Sequence, residues 1–114
     1  MSYVTEFYTT SSGRSPVEEF LDSLDMRTRQ KFLYVRSLLE EFGAKLSSPF
    51  CKYLGNDIYE LRFTGKEGAV RVLYFFIKDN SIIFTNGFLK KTQKTPPKEI
   101  ELAINRRKTF LEGS

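Results

Sequence analysis

Three runs of β-branched and aromatic residues follow one another in the second half of the chain, and they constrain the fold more than any other feature. They occupy residues 57–64, 69–77 and 82–90. Two four-residue turn segments, 65–68 and 78–81, separate them. Strands joined by turns this short pair as antiparallel neighbours. The sequence therefore predicts an antiparallel meander of three strands.

The residues before the meander predict a strand and a helical hairpin. Residues 3–8 are rich in aromatic and β-branched side chains and predict a first strand. Ser15, with a proline after it, predicts the start of a short helix to about residue 24, and Glu18 completes a capping box. Asp25 is predicted to cap a second helix that stops at Gly43. The second helix repeats apolar side chains at three- and four-residue spacing: Phe32, Val35, Leu38, Leu39 and Phe42.

After the meander, two prolines at 96 and 97 break the third strand, and residues 98–111 return to helical spacing. The predicted order is β-α-α-β-β-β-α. We therefore expect a single α+β domain over residues 1–114, with the helices packed on one face of the sheet.

The two turn lengths also predict a register. If residues 65–68 form the first loop, Arg62 lies opposite Arg71; if residues 78–81 form the second, Arg71 faces Phe88. Lys90 lies two residues further along the same face. The opposite face then carries the apolar side chains that we expect the helices to bury: Tyr59, Leu61, Phe63, Val70, Val72, Tyr74, Phe76 and Ile83. The basic row is accordingly predicted to face outward.

A row of this kind suits single-stranded RNA. Two opposed arginines destabilise a sheet, so a sequence shaped by stability alone has little reason to place them there. Guanidinium groups hold phosphate in a two-pronged geometry, and an aromatic ring stacks on an unpaired base. The alternative is a solubilising face in which Phe88 packs under the last helix.

The positive charge is concentrated at the C-terminal end. The formal net charge is +4, and residues 86–114 hold seven basic against three acidic side chains. Residues 88–98 contain four lysines and no acidic residue. This pattern indicates either a phosphate-binding surface or a solvated run of lysines.

The composition excludes several kinds of catalytic site. The chain has no histidine and one cysteine, which excludes Ser-His-Asp and Cys-His catalysis and His/Cys zinc sites. Cys51 has no partner for an internal disulfide, and we expect a buried small apolar side chain. The N-terminal residues lack the pattern of a signal peptide, and no apolar run approaches the length of a membrane span. These observations predict a cytoplasmic protein.

RNA cleavage is compatible with this composition, because the 2′-hydroxyl of the substrate can act as the nucleophile. Arg62 and Arg71 would stabilise charge on the phosphate, and Lys90 or Lys91, with a pKa lowered by neighbouring cations, would take part in proton transfer. Tyr53 and Glu60 are weaker candidates for proton transfer. Glu60 is better explained as the ion-pair partner of a neighbouring arginine.

Four segments of the sequence resemble one family of toxins. They are SPVEEFL from Ser15, IYELR from Ile58, RVLYFF from Arg71 and NGFLKKTQKTP from Asn86. Together they are similar to the phage-derived, HigB-type branch of the RelE toxin superfamily, in order and over nearly the whole chain. The last segment is the most specific of the four.

The resemblance implies a RelE-like fold and the toxin of a type II toxin–antitoxin system. The implied activity is ribosome-dependent cleavage of mRNA in the 30S decoding site, without cofactor or metal. The implied partner is an antitoxin, often a helix-turn-helix DNA-binding protein encoded in the adjacent reading frame. ParE-type relatives share the fold but inhibit DNA gyrase, so a gyrase inhibitor is one alternative, and a non-catalytic RNA- or antitoxin-binding module is another.

The resemblance also assigns residues. Arg62 and Arg71 match basic strand positions that the family uses at its active surface, and Lys90 and Lys91 match its lysine pair. We expect these four residues to be catalytic. The expected RNA-binding residues are Lys52, Phe88, Gln93 and Lys94. Some relatives use a C-terminal histidine or tyrosine that this sequence lacks after Tyr74, so the general acid and base stay unassigned.

Overall fold

A five-stranded sheet with helices on both faces makes up the computed structural model, which describes residues 2–113. The elements are β1 (Val4–Phe7), α1 (Pro16–Asp22), α2 (Met26–Phe42), a 3₁₀ turn (Gly43–Lys45), β2 (Cys51–Gly55), β3 (Ile58–Gly65), β4 (Gly68–Ile77), β5 (Ser81–Lys90) and α3 (Pro97–Glu112). The strand order is β1-β5-β4-β3-β2, with β1 parallel to β5 and the other pairs antiparallel.

This architecture confirms the α+β class and the predicted meander. The strand that the sequence did not predict is β2, a short edge strand that pairs with β3. Its five residues, CKYLG, lack the alternation that marks a half-buried strand, because none of them is buried in the structure.

The predicted register across the central strands is confirmed. Arg62 pairs with Arg71, and Arg71 pairs with Phe88. The second loop is one residue shorter than predicted, since Ile77 already pairs with Ser81. A bulge, which leaves Thr85 without an opposite residue, restores the predicted pairing further along the strands.

The bulge also corrects one assignment of faces. Ile83 was expected on the same face as Tyr74, but it lies on the opposite face, while Ile82 and Phe84 join Tyr74 under the helical hairpin. One extra residue reverses the inward and outward alternation along a strand. The prediction for Ile83 is therefore wrong for a local reason.

The helical hairpin packs on one face of the sheet through the residues its spacing indicated. Phe32, Val35 and Leu39 of α2 are buried there, whereas Phe42 at the end of the helix is exposed. Asp25 caps α2 by accepting a hydrogen bond from the amide of Arg27. The capping box at Ser15 is not formed, because the Ser15 hydroxyl makes no cap hydrogen bond.

The C-terminal helix packs on the other face, which corrects the expectation of helices on one face only. Ala103 of α3 is buried against Leu73, Phe75 and Ile83, and α3 crosses β3, β4 and β5. β4 and β5 carry buried apolar residues on both faces of the sheet, so both faces need to be covered by helices. Within residues 2–113, no helix has both the length and the apolar character needed to cross a membrane.

Candidate functional site

Four cations lie on the face of the sheet that α3 covers only in part. Lys52 is opposite Glu60, Arg62 is opposite Arg71, and Lys90 is opposite Ala69. The pairing places all four cations on one side of the sheet, towards the end that holds the β3–β4 turn. We call Lys52, Arg62, Arg71 and Lys90 the basic face.

A buried carboxylate lies at the centre of the basic face. Glu60 is 0% exposed, and its Oε1 atom is 3.5 Å from Nε of Arg62 and 3.7 Å from Nε of Arg71. Its other carboxylate oxygen accepts a hydrogen bond from the hydroxyl of Thr95. The structure thus supports the interpretation of Glu60 as an ion-pair partner.

The two arginines differ in their surroundings. The side chain of Arg62 is 28% exposed and that of Arg71 is 12% exposed. Arg71 also donates a hydrogen bond from Nη1 to the carbonyl oxygen of Val70, at 2.9 Å. Burial, together with the positive charge of Arg62, lowers the pKa of Arg71. An anion that approached this pair would relieve the repulsion between them.

Lys90 belongs to the same electrostatic group. Its partial burial and, next, the charge of Arg71 lower the pKa of its ammonium group. The lowered pKa predicted for Lys90 is therefore supported, although desolvation contributes more than the neighbouring cations. Lys91 is exposed and lies just beyond β5.

Phe88 does not face outward. It is 9% exposed and packs in the cluster that contains Ala103, Leu73 and Phe75, beneath α3. The expectation that its ring stacks on an RNA base is therefore wrong in this structure. The alternative, that Phe88 packs under the last helix, is the one observed.

The remaining predicted residues lie in the segment between β5 and α3. Lys91, Gln93 and Lys94 are exposed, and the Thr92 hydroxyl donates to the carbonyl oxygen of Lys94 at 2.7 Å. Thr95, in the same segment, is bound to Glu60. We call residues 91–95 the lysine-rich segment; the hydrogen bond from Thr95 to Glu60 attaches it to the basic face.

Tyr53 does not lie on the basic face. It pairs with Tyr59 on the face of the helical hairpin, and its hydroxyl accepts a hydrogen bond from the amide of Asp57 at 3.1 Å. Cys51 is half-buried rather than buried, and its thiol donates to the carbonyl oxygen of Leu46 at 3.2 Å. Sequence reasoning missed Thr95, because a threonine before a proline carries no local signal for a partner 35 residues away in the chain.

A pocket of about 400 Å³ opens beside the two arginines. It lies where β2 begins at Cys51, opposite Leu61, so that β2 does not extend along the last residues of β3. Its walls are formed by Val35, Pro49, Phe50, Arg62, Phe63, Thr64 and Arg71. The site therefore combines two guanidinium groups with two partly exposed aromatic rings, those of Phe50 and Phe63.

Comparison with known proteins agrees with this architecture. The model of the family described as phage-derived protein Gp49-like matches residues 19–108. The structure is similar to that of a double mutant of the Escherichia coli toxin RelE in the free state, with a TM-score of 0.59 and 13% sequence identity. The similarity covers 93% of this chain and 98% of that one. No curated protein sequence matches the chain significantly. The chain therefore belongs to the phage-derived Gp49-like family and has the fold of the toxin RelE, which confirms the resemblance seen in its sequence.

Proposed function

We propose that this protein is the toxin of a toxin–antitoxin pair and that it cleaves mRNA on the ribosome. The observation that carries the proposal is the pair of arginines, Arg62 and Arg71, opposed on neighbouring strands beside an open pocket. Opposed like charges cost stability in a sheet, and Glu60 offsets only one of the two positive charges, so a phosphodiester is the ligand that would offset the other.

In the proposed reaction, the 2′-hydroxyl of one nucleotide releases its proton to a water molecule and attacks the adjacent phosphorus atom. The bond from O2′ to phosphorus forms, the bond from phosphorus to O5′ breaks, and the products are a 2′,3′-cyclic phosphate and a 5′-hydroxyl. Arg62 and Arg71 stabilise the charge that develops on the non-bridging oxygens. Lys90, in its ammonium form, supplies positive charge and a proton to the leaving O5′ oxygen. Lys91, at the start of the lysine-rich segment, assists this proton transfer.

The rest of the site contacts the RNA chain. Lys52, Gln93 and Lys94 are exposed and border the basic face or its attached segment. Phe50 takes the stacking role that Phe88 cannot fill, because its ring lines the pocket beside Arg62. The pocket of about 400 Å³ leaves room for an unpaired base.

The cognate partner in this proposal is an antitoxin, a helix-turn-helix protein encoded in the adjacent reading frame. A basic face exposed to cytoplasmic RNA binds nucleic acid without selectivity, and a partner that covers it would prevent this. The proposed activity places the protein in the cytoplasm, where ribosomes and mRNA are found. Expression of the neighbouring gene together with this one should restore growth.

Mapping mRNA ends in cells after induction tests the proposal. We expect new ends within translated reading frames as growth stops. Growth arrest with intact messages would contradict it, and relaxed or broken DNA in that case would support a gyrase inhibitor instead. RNA binding without cleavage or arrest would indicate a non-catalytic module.

The lysine-rich segment gives a prediction for binding. The affinity for single-stranded RNA falls as salt rises, and replacing Lys91 and Lys94 with alanine should make the plot of log affinity against log salt less steep. Each lost phosphate contact lowers the steepness of this slope by about 0.7 on the scale of single strands. The matched control replaces Lys78 and Lys108, two exposed lysines outside the basic face and the lysine-rich segment, with alanine, and should leave the slope unchanged. An equal slope in the variant of Lys91 and Lys94 and in the wild type would remove both lysines from the RNA interface.

Lys90 gives a prediction for pH. Because its pKa is lowered, its ammonium group loses the proton at a lower pH than an ordinary lysine, and the cleavage rate should fall as pH rises through that value. Arginine keeps its charge over this range. The ratio of the alkaline rate to the neutral rate should therefore be higher for Lys90→Arg than for the wild type. Single-turnover rates on programmed ribosomes, between neutral and moderately alkaline pH, measure this. Identical profiles for wild type and variant would exclude Lys90 as the titrating group.

A further inference from the structure

Glu60 is the acidic side chain at the centre of a surface otherwise built from cations. It is 0% exposed, whereas each of the cations around it is at least partly exposed. A fully buried carboxylate cannot contact a substrate directly. It is also costly to bury, so its presence calls for partners that compensate the charge.

The partners of Glu60 form a specific pattern. Oε1 faces the Nε atoms of both Arg62 and Arg71 at ion-pair distances, and all three atoms are buried without a hydrogen-bond partner. The carboxylate therefore meets each guanidinium at its Nε edge. The Nη nitrogens are not the atoms closest to Glu60, and both arginines border the pocket.

The second oxygen of Glu60 connects the carboxylate to another part of the site. It accepts the hydrogen bond from Thr95, which ends the exposed segment that carries Lys91, Gln93 and Lys94. One side chain thus contacts arginines from two strands and the segment that follows the third. Without it, the opposed arginines would repel each other with no fixed anion between them.

We propose that Glu60 is a positioning residue: it holds Arg62 and Arg71 by their Nε edges, so that their outer nitrogens are set for a phosphate, and it anchors the lysine-rich segment through Thr95. The proposal rests on the proposed function for the identity of the phosphate, which belongs to single-stranded RNA. It predicts that the cleavage rate depends on Glu60, whereas tight binding of RNA does not require it.

The variant Glu60→Gln separates the effect on RNA affinity from the effect on the cleavage rate. The amide keeps the shape and can still accept from Thr95, but the charge that orders the guanidiniums is lost. Because the site becomes more positive by one charge, a single-stranded RNA with 2′-O-methyl groups, which cannot be cleaved, should bind as tightly or more tightly. The single-turnover cleavage rate on programmed ribosomes should fall by about 10- to 100-fold, as expected for misplaced catalytic groups.

Two controls isolate the effect. Glu101→Gln makes the same change of charge at an exposed position on α3 and should leave the cleavage rate unchanged. Thr95→Val removes the anchor of the segment but keeps the carboxylate between the arginines, and should reduce the rate less than Glu60→Gln. If Glu60→Gln does not fold, Glu60→Asp replaces it: the shorter side chain keeps the charge but draws back from Nε, so the rate should fall with affinity unchanged.

A spectroscopic measurement tests the inference even if the protein proves not to cleave RNA. The Nε–H protons of Arg62 and Arg71 should give resolved NMR signals with slow hydrogen exchange in the wild type, and exchange should become at least severalfold faster in whichever of Glu60→Gln and Glu60→Asp is folded. Unchanged exchange, or a folded variant that cleaves at the wild-type rate while the wild type is active, would overturn the role of Glu60. A wild type that does not cleave mRNA, but shows this exchange pattern, would contradict the proposed function alone.

Discussion

Replacing Arg62 and Arg71 together with alanine is expected to abolish growth arrest and to lower the cleavage rate by about 10³-fold. Loss of a single preorganised donor to a developing oxyanion typically costs about 10²- to 10³-fold, and two donors that act on one phosphate are not additive. The measurement is single-turnover cleavage of mRNA on programmed ribosomes, with growth after induction as the cellular counterpart.

The controls for this variant address charge and folding. Replacing Arg27 and Lys108, two exposed cations outside the basic face, removes the same charge and should leave cleavage near the wild-type level. The double change to alanine leaves Glu60 buried without its ion-pair partners, so circular dichroism must show that the variant is folded at the assay temperature. Changing both arginines to lysine keeps the charge but not the two-pronged geometry, and should give an intermediate rate. Undiminished cleavage by a folded alanine variant would remove both arginines from the mechanism.

Phe32→Ala is expected to lower the free energy of unfolding by about 3–5 kcal/mol. Phe32 is 2% exposed, and its ring centroid lies 5.5 Å from that of Phe84, 6.1 Å from that of Phe63 and 6.3 Å from that of Phe7. It therefore joins α2 to three strands of the sheet. A loss of this size is a large part of the total stability of about 5–15 kcal/mol that is usual for such a domain.

The adjacent residue supplies the matched control. Leu33 is 58% exposed on the outer side of α2, and Leu33→Ala should change the free energy of unfolding by about 0.5 kcal/mol or less. Urea denaturation of the two variants compares them directly. Equal losses in both would mean that α2 does not present the Phe32 face to the sheet.

The sequence predicted the part of the fold that depends on neighbours in the chain. Hairpin turns and alternation place Arg62 opposite Arg71, and this pairing was predictable because the Gly65–Gly68 turn is short. The pairing of Arg71 with Phe88 was predicted correctly although the second turn is one residue shorter than predicted and the bulge was not predicted. The bulge adds the residue that the turn lacks, so the two differences cancel. They do not cancel at Ile83, which lies between them.

Features that depend on distant segments were not predictable in the same way. The position of α3 on the second face decides that Phe88 is buried, and no local pattern in residues 86–94 contains that information. The same holds for Thr95 and Glu60, which are brought together only when the segment after β5 folds back over β3. The cations of the candidate site could thus be named from the sequence, whereas the buried anion between them was known only as a possible ion-pair partner.

The most direct measurement is cleavage of a defined mRNA by the purified protein, with and without programmed ribosomes, followed by analysis of the new ends. We expect cleavage at the codon in the decoding site only when ribosomes are present. We also expect a 2′,3′-cyclic phosphate on one fragment and a 5′-hydroxyl on the other, because the nucleophile is the 2′-hydroxyl of the substrate. Intact mRNA on ribosomes, or fragments that carry a 5′-phosphate, would contradict it.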